Sequence, residues 1–333
     1  TGANNTAVGG LALDQNTTAS DNTAVGYVAL AANTTGASNV AMGSYTLDAN
    51  TTGASNVAVG SAALGANTTA SHNTAVGQSA LTANTTGNTN AGTSVTTGIS
   101  NTFIGAEAGN STDDGALNVA VGTSALSANC ANSNTAIGVT ALVGTTGGNN
   151  TALGYQAGAS VTSAFNNIFV GRDAGLTGSP GGNITTGSNE IILGDENITE
   201  AHIQVDWTVA SDQRDKTDFT ALDLGLDFVK ALAPVTYKWD KRSKYGDKTA
   251  NDYDLAAQTP DGTHKEDWLD IGFKAQEVEA LEIAAGYNKD NKTNLVSSHS
   301  DDGKQMGLQY NKLIPILVKA IQELSAKVDE LQQ

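Results

Sequence analysis

The sequence predicts a mostly β protein: a repeat β-solenoid or β-roll followed by a small α+β domain that ends in a coiled-coil helix. Glycines recur at a spacing of seventeen residues from the start of the chain, at Gly9, Gly26, Gly43, Gly60 and Gly77. Charged residues are rare before position 211 and frequent after it. Aliphatic residues with heptad spacing mark the end of the chain.

Each repeat unit contains a short alternating segment, a glycine, a second step that ends in Ala-Leu, and a polar NTT turn, as in NTAVGYVALAANTTGAS. A unit of this length is too short for a strand plus a helix, so it predicts stacked β-coils. After an irregular stretch near Gly92 the pattern returns at Gly105, and the last partial repeat, EIILGD, contains Gly194. We therefore predict a repeat shaft over residues 1–195.

The residue before each glycine and the leucine that closes the second step are predicted to form two interior ladders. The first ladder comprises Val8, Val25, Met42, Val59 and Val76, and the second Leu13, Leu30, Leu47, Leu64 and Leu81. So few large side chains per coil give little burial against the backbone entropy lost on folding. This shortfall favours a core shared between chains, as in a trimer.

The NTAVG and NVAVG units resemble the repeats of trimeric autotransporter adhesin heads and of phage tail-fibre shafts, which implies three chains packed around one axis. The NTT turns allow a second interpretation, a flat threonine ladder of the kind that ice-binding solenoids present. Turn formation by Asn and Thr, whose side chains bond local backbone groups, is the favoured interpretation.

Composition excludes several classes of function. The net charge of -17 argues against nucleic acid as a partner and against anionic membranes, and no apolar run is long enough for membrane insertion. Cys130 is the only cysteine, so no intramolecular disulfide can form. Residues 1–210 contain twelve acidic residues and one basic residue, without a catalytic cluster. No metal site and no cofactor is predicted.

The boundary between the two parts is predicted at a strand end. EAHIQVDWTVA alternates apolar residues at Ile203, Val205, Trp207 and Val209, which predicts a junction strand within residues 196–210. Residues 211–333 contain sixteen basic and twenty-two acidic residues. We predict a separate domain there.

Four blocks of that domain carry a resemblance. SDQRDK begins at Ser211, FVKALAPVTYKW covers 228–239, IGFKAQEVEAL covers 271–281 and LQYNKLIPILVKAIQEL covers 308–324. In this order they are similar to the intramolecular chaperone domain of endosialidase-type tail spikes, a self-cleaving module. The resemblance implies a homotrimer whose shaft chains are held in register while they assemble.

The resemblance also implies the site residues. Ser211 is the nucleophile, Lys216 is its base, and Ala210–Ser211 is the cleaved bond, with Asp212 and Arg214 in support. The enzyme it implies is a single-turnover autocatalytic serine peptidase with a Ser-Lys dyad and no external substrate. A simpler interpretation of SDQRDK is a helix start, with Ser211 as N-cap and Asp212 in the first turn.

The last segment predicts an oligomerisation helix over residues 312–332. Its predicted seam consists of Ile314, Leu317, Ile321, Leu324, Val328 and Leu331, at alternating a and d positions. A helix packed on its own domain also fits this pattern. Taken alone, β-branched a residues with Leu at d favour two strands, whereas the resemblance implies three.

These observations predict the distal segment of a virion tail fibre, assembled in the host cytoplasm and bound to a host receptor or glycan. The alternatives are a trimeric adhesin that does not cleave itself, and an ice-binding or glycan-binding solenoid.

Overall fold

A computed structural model describes residues 2–88, 97–204, 206–248, 250 and 252–332. The chain divides into two compact units, Thr1–Asn197 and Ile198–Gln333. The first unit is a parallel β-solenoid, and the second contains three α-helices, four short 3-10 helices and two two-stranded antiparallel sheets among its described residues. The predicted fold class is therefore confirmed. The irregular stretch near Gly92 lies outside the described residues.

Each described coil of the solenoid contributes one strand of three residues. The strands are β1 Thr6–Val8, β2 Thr23–Val25, β3 Val40–Met42, β4 Val57–Val59, β5 Thr74–Val76, β6 Thr102–Ile104, β7 Val119–Val121, β8 Thr135–Ile137, β9 Thr151–Leu153, β10 Ile168–Val170 and β11 Ile191–Leu193. They form two parallel sheets, β1–β5 and β6–β11. Because the repeat length is nearly constant, equivalent residues pair directly, as Thr6 does with Thr23.

The interior of the solenoid differs from the prediction in one of its two ladders. The leucine ladder is buried, with Leu30, Leu47, Leu64 and Leu81 fully enclosed. The valine ladder is not: Val8 and Val76 are 57% and 70% exposed, and the middle residue of the later strands, an alanine in β2–β5 and β7–β9, faces inward instead. The leucine already fills a narrow interior, so only a methyl group fits beside it.

The exceptions to this alanine show the same volume rule. Phe103 and Phe169 replace the inward alanine, and both are buried. Six residues after each phenylalanine, the leucine is replaced by Gly109 or Gly175, and a Cβ at either glycine would overlap the phenylalanine ring. At these two coils a phenylalanine and a glycine therefore replace an alanine and a leucine. The β9 coil combines Ala152 with Gly158, and there the side chains of Leu142 and Phe169 occupy the space beside the glycine.

This exchange predicts a compensating pair of substitutions. Phe103→Ala is expected to destabilise the solenoid by about 3 to 5 kcal/mol, because it leaves a cavity beside Gly109. Adding Gly109→Leu is expected to recover much of that loss, since the equivalent Leu126 adopts the same left-handed backbone. Denaturant unfolding measures both, with exposed Phe165→Ala as the control. A double variant no more stable than Phe103→Ala would contradict the rule.

Two asparagine ladders close the polar side of the interior. Asn22, Asn39 and Asn56 precede their strands and are buried, and the Asn22 and Asn39 side-chain oxygens accept the backbone N–H of the next asparagine at 2.9 Å. In the NTT turns, Asn50 donates to Asn33 at 2.9 Å. The hydroxyl of Thr34 donates to the Thr51 carbonyl at 2.9 Å. These bonds join neighbouring coils. Within its own turn, the Asn33 side chain also donates to the Gly36 carbonyl at 2.9 Å, as the turn interpretation predicts.

The leucine ladder has an unusual backbone. Leu13, Leu30, Leu47, Leu64, Leu81, Leu126 and Leu142 have φ between 49° and 54°, the left-handed region that residues with a Cβ seldom adopt. Hydrogen bonds between coils hold them there, as Leu30 N–H donates to the Thr46 carbonyl at 3.0 Å. Each coil is thus stabilised by its neighbour rather than by its own conformational preference.

The second unit is a small α+β assembly. Its elements are α1 Leu226–Ala231, β12 Val235–Tyr237, β13 Asp270–Gly272, α2 Ala275–Ala284, β14 Ser297–His299, β15 Met306–Leu308 and α3 Leu313–Leu331. β12 pairs antiparallel with β13, and β14 pairs antiparallel with β15. The core consists of Leu224, Phe228, Val278, Val296, Leu313 and Ile316. Residues from α1, α2 and α3 meet in this core.

The predicted junction strand is absent from the described residues. Residues 198–204 and 206–210 contain no strand, and Ile203, Trp207 and Val209 are exposed. Val205 lies outside the described residues. A strand needs a hydrogen-bonding neighbour, and the last strand of the solenoid that has one is β11, which ends at Leu193.

Candidate functional site

The segment SDQRDK forms a tight turn that returns Lys216 to Ser211. Residues Gln213–Asp215 make one turn of 3-10 helix, and the Lys216 backbone N–H donates to the Gln213 carbonyl at 3.2 Å. The Lys216 Nζ then donates to the Ser211 Oγ at 2.5 Å. The two predicted site residues are therefore in direct contact.

Asp212 and Arg214 brace this turn. The Asp212 carboxylate caps the turn by accepting the Arg214 backbone N–H at 2.9 Å, and the Arg214 guanidinium pairs with it at 2.6 Å. These hydrogen bonds from Arg214 lower the pKa of Asp212. The cap is thus Asp212 rather than Ser211, and the contacts of Arg214 lie within the turn.

The site is open to solvent in the single chain. Residues 206–221 are all exposed, and Ala210 and Ser211 belong to no helix or strand. The Ala210–Ser211 peptide bond joins the Ala210 carbonyl carbon to the backbone nitrogen of Ser211. The Ser211 hydroxyl is therefore always close to this bond, whatever the conformation of the turn. The arrangement can provide a hydroxyl and an amine next to one accessible peptide bond.

A family model described as chaperone of endosialidase matches residues 211–287. The second unit carries an endosialidase chaperone domain. The match begins at Ser211 and includes the first three resemblance blocks, whereas the block at 308–324 lies beyond it. A β-solenoid followed by this domain is the organisation of a tail fibre with a C-terminal chaperone. No curated protein and no solved structure matched the chain.

The predicted seam lies on the exposed side of α3, which belongs to the second unit and follows the residues matched by the family model. Leu313, Ile316 and Ala320 are buried. All six seam residues are exposed: Ile314, Leu317, Ile321, Leu324, Val328 and Leu331. One face of the helix therefore packs on its own domain, as the second sequence interpretation predicts. The heptad face is exposed in the single chain, and oligomerisation through it stays a prediction.

Two glutamates organise the chaperone domain and were missed by sequence reasoning. Glu282 in α2 is buried and accepts the backbone N–H groups of Leu295, Val296 and Ser297 at 2.8, 2.6 and 3.0 Å, with the Ser297 hydroxyl as a fourth donor. In the sequence, the only indication of this role is that Glu282 follows the apolar Val278 by four residues, which places both on one face of a helix. The structure shows that this face is buried. The carboxylate fixes β14 against α2.

The second of these, Glu323, links α3 to α1. Its carboxylate accepts the Leu226 backbone N–H at 2.7 Å, which satisfies a donor at the start of α1. This hydrogen bond lowers the pKa of Glu323. In the sequence, Glu323 lies between the seam positions Ile321 and Leu324. The heptad pattern alone therefore predicts a solvent-exposed charge there and not a hydrogen bond to α1.

The described residues give no sign of a metal centre or of a membrane span. Within them, no three His, Cys, Asp or Glu side chains come together in a group suited to a metal ion. None of the helices in the described ranges combines the length and apolar character needed to cross a bilayer.

Proposed function

We propose that this chain is the distal segment of a viral tail fibre that assembles as a homotrimer in the host cytoplasm. The chaperone domain holds three solenoid chains together during assembly and is then cut from them at Ala210–Ser211. The released solenoid serves in the virion as a shaft that contacts a host receptor or glycan. The observation that carries the proposal is the family match beginning at Ser211, whose Oγ lies 2.5 Å from the Lys216 Nζ.

The cleavage chemistry follows from these two side chains. The Ser211 Oγ attacks the Ala210 carbonyl carbon while the neutral Lys216 amine removes the hydroxyl proton. That proton passes to the Ser211 nitrogen as the peptide bond breaks, which leaves Ala210 as an ester on Ser211. Water then hydrolyses the ester, releases the Ala210 carboxyl group and restores the serine hydroxyl.

Assembly controls this reaction in our proposal. A lysine acts as a base only as the neutral amine, and burial favours that form. Ser211 and Lys216 are both exposed in the single chain. Contact between three copies would remove water from the turn, so cleavage would follow correct assembly. The exposed heptad face of α3 supplies the surface that brings the copies together.

The experiment compares the full chain with residues 1–210 expressed without the chaperone domain. We expect the full chain to yield trimeric solenoid, and residues 1–210 alone to yield monomer or aggregate, because nothing aligns the chains. Light scattering after size-exclusion chromatography gives the mass of each. Equal yields of trimer from both would remove the need for a chaperone.

A further inference from the structure

The outward side of the solenoid strands is free of charge and mostly apolar, with threonine as its only polar residue type. We name it the outer strand face and define it as the first and third residues of β1–β11. Every one of these residues is threonine, valine, isoleucine, leucine or methionine, and none is buried. The exposed large side chains are Val8, Met42, Val57, Val76, Ile104, Ile137, Leu153, Ile168, Val170, Ile191 and Leu193.

This face is an exception on an acidic molecule. The chain carries a net charge of -17, and all twelve acidic residues of positions 1–210 lie outside the strands. Two copies that approached through a charge-bearing turn, such as that of Asp113 and Asp114, would bring like charges together, whereas the outer strand face carries none. A contiguous apolar surface of this kind on a soluble protein marks a contact site.

The regular register makes the face suited to a second copy of the same chain. Equivalent residues stack directly from coil to coil, as Val40 pairs with Val57 and Val57 with Thr74. Three residues per strand place two columns of side chains on the face, with strands about 4.8 Å apart. Another copy in the same register presents the same columns at the same spacing. The column of third residues is apolar in every strand, so it meets an apolar column along the whole sheet, while the column of first residues mixes threonine with valine and isoleucine.

We propose that the outer strand face is the surface through which three copies of the solenoid contact one another. This inference rests on the homotrimer of the proposed function and assigns its contact surface along the shaft. It also accounts for the valine ladder that faces outward: the alanine and leucine fill each chain, and the valine column fills the space between chains. The α3 seam gathers the chains and raises their local concentration, so weak contacts per coil suffice.

Cross-linking of the full chain tests this assignment. In a Ser211→Ala background, which keeps each chain in one piece, Val76→Cys places a thiol on the outer strand face. Thr86→Cys places a matched thiol on an exposed turn of the same coil. The native Cys130 is buried, so it gives a low baseline with a short bismaleimide. Denaturing gels measure linked chains, and light scattering measures the native mass.

We expect a mass of three chains, with about tenfold more linked chains for Val76→Cys than for Thr86→Cys. A trimer that links through Thr86→Cys and not through Val76→Cys would overturn the outer strand face while the homotrimer stands. A mass of two chains with Val76→Cys links would retain the face and overturn the count of three. A mass of one chain would overturn both proposals.

Discussion

The Ser211→Ala variant of the full chain is expected to stay intact after assembly, whereas the parent chain separates into fragments that end at Ala210 and begin at Ser211. The substitution removes the Oγ that lies 2.5 Å from the Lys216 Nζ, so no ester can form at Ala210. Lys216→Arg is expected to slow cleavage by about a hundredfold or more, because a guanidinium stays protonated and cannot act as base. Intact-mass spectrometry of the purified protein detects both effects.

Matched variants separate the chemistry from folding. Thr217→Ala removes a hydroxyl from the same exposed segment, and Lys230→Ala removes an exposed lysine from α1. Both are expected to cleave as the parent does. If Ser211→Ala is cut at the same bond, another nucleophile acts. A parent chain that forms trimers and stays intact indicates the non-cleaving adhesin.

Charges on the α3 seam are expected to convert the trimer of the full chain into monomers. Ile321→Asp with Leu324→Asp places two carboxylates per chain where three helices would meet, and burying unpaired charges is strongly unfavourable. The fold of the domain should persist, because Leu313, Ile316 and Ala320 hold α3 through its other face. Light scattering gives the mass, and circular dichroism reports helix content.

The control adds the same two charges to the outer side of the same helix. Gln322→Asp with Ala326→Asp changes exposed residues that lie off the seam, and we expect it to remain trimeric and helical. A seam variant that keeps the mass of three chains would show that α3 does not gather the copies. A parent chain with the mass of two chains would follow the preference of β-branched a residues for dimers.

The repeat itself was predictable because each coil needs a glycine with positive φ at the same place, so the glycine spacing in the sequence gives the length of a coil. Glycines at intervals of seventeen placed β2 at Thr23–Val25, and the structure has the strand at those residues. Which residues of a three-residue strand face inward was not predictable from their size alone. The leucine of the same coil determines how much interior volume is left for the strand residue beside it. The exchange of Ala120 and Leu126 for Phe103 and Gly109 is readable in the sequence only once that geometry is known.

Sequence reasoning paired Ser211 with Lys216, and the structure places the two side chains in contact, while their catalytic role stays a prediction. The turn that joins them is local, so a short motif determines it. Glu282 and Glu323 depend on contacts with distant segments, at Leu295 and Leu226 respectively, and a single sequence carries no information about such pairs. The junction strand was predicted from alternation alone, which cannot supply a neighbouring strand.

The left-handed leucines give the solenoid a direction of growth. Each costs about 1 to 2 kcal/mol of backbone strain, which is offset by hydrogen bonds to an adjacent coil. A first coil has no neighbour, so starting the solenoid is slow and extending it is fast. The ribosome delivers the N-terminal coils first, yet the domain that would align the chains in the proposed assembly comes last. Folding that waits for this alignment would travel from the C-terminal coils backwards, against the order of synthesis.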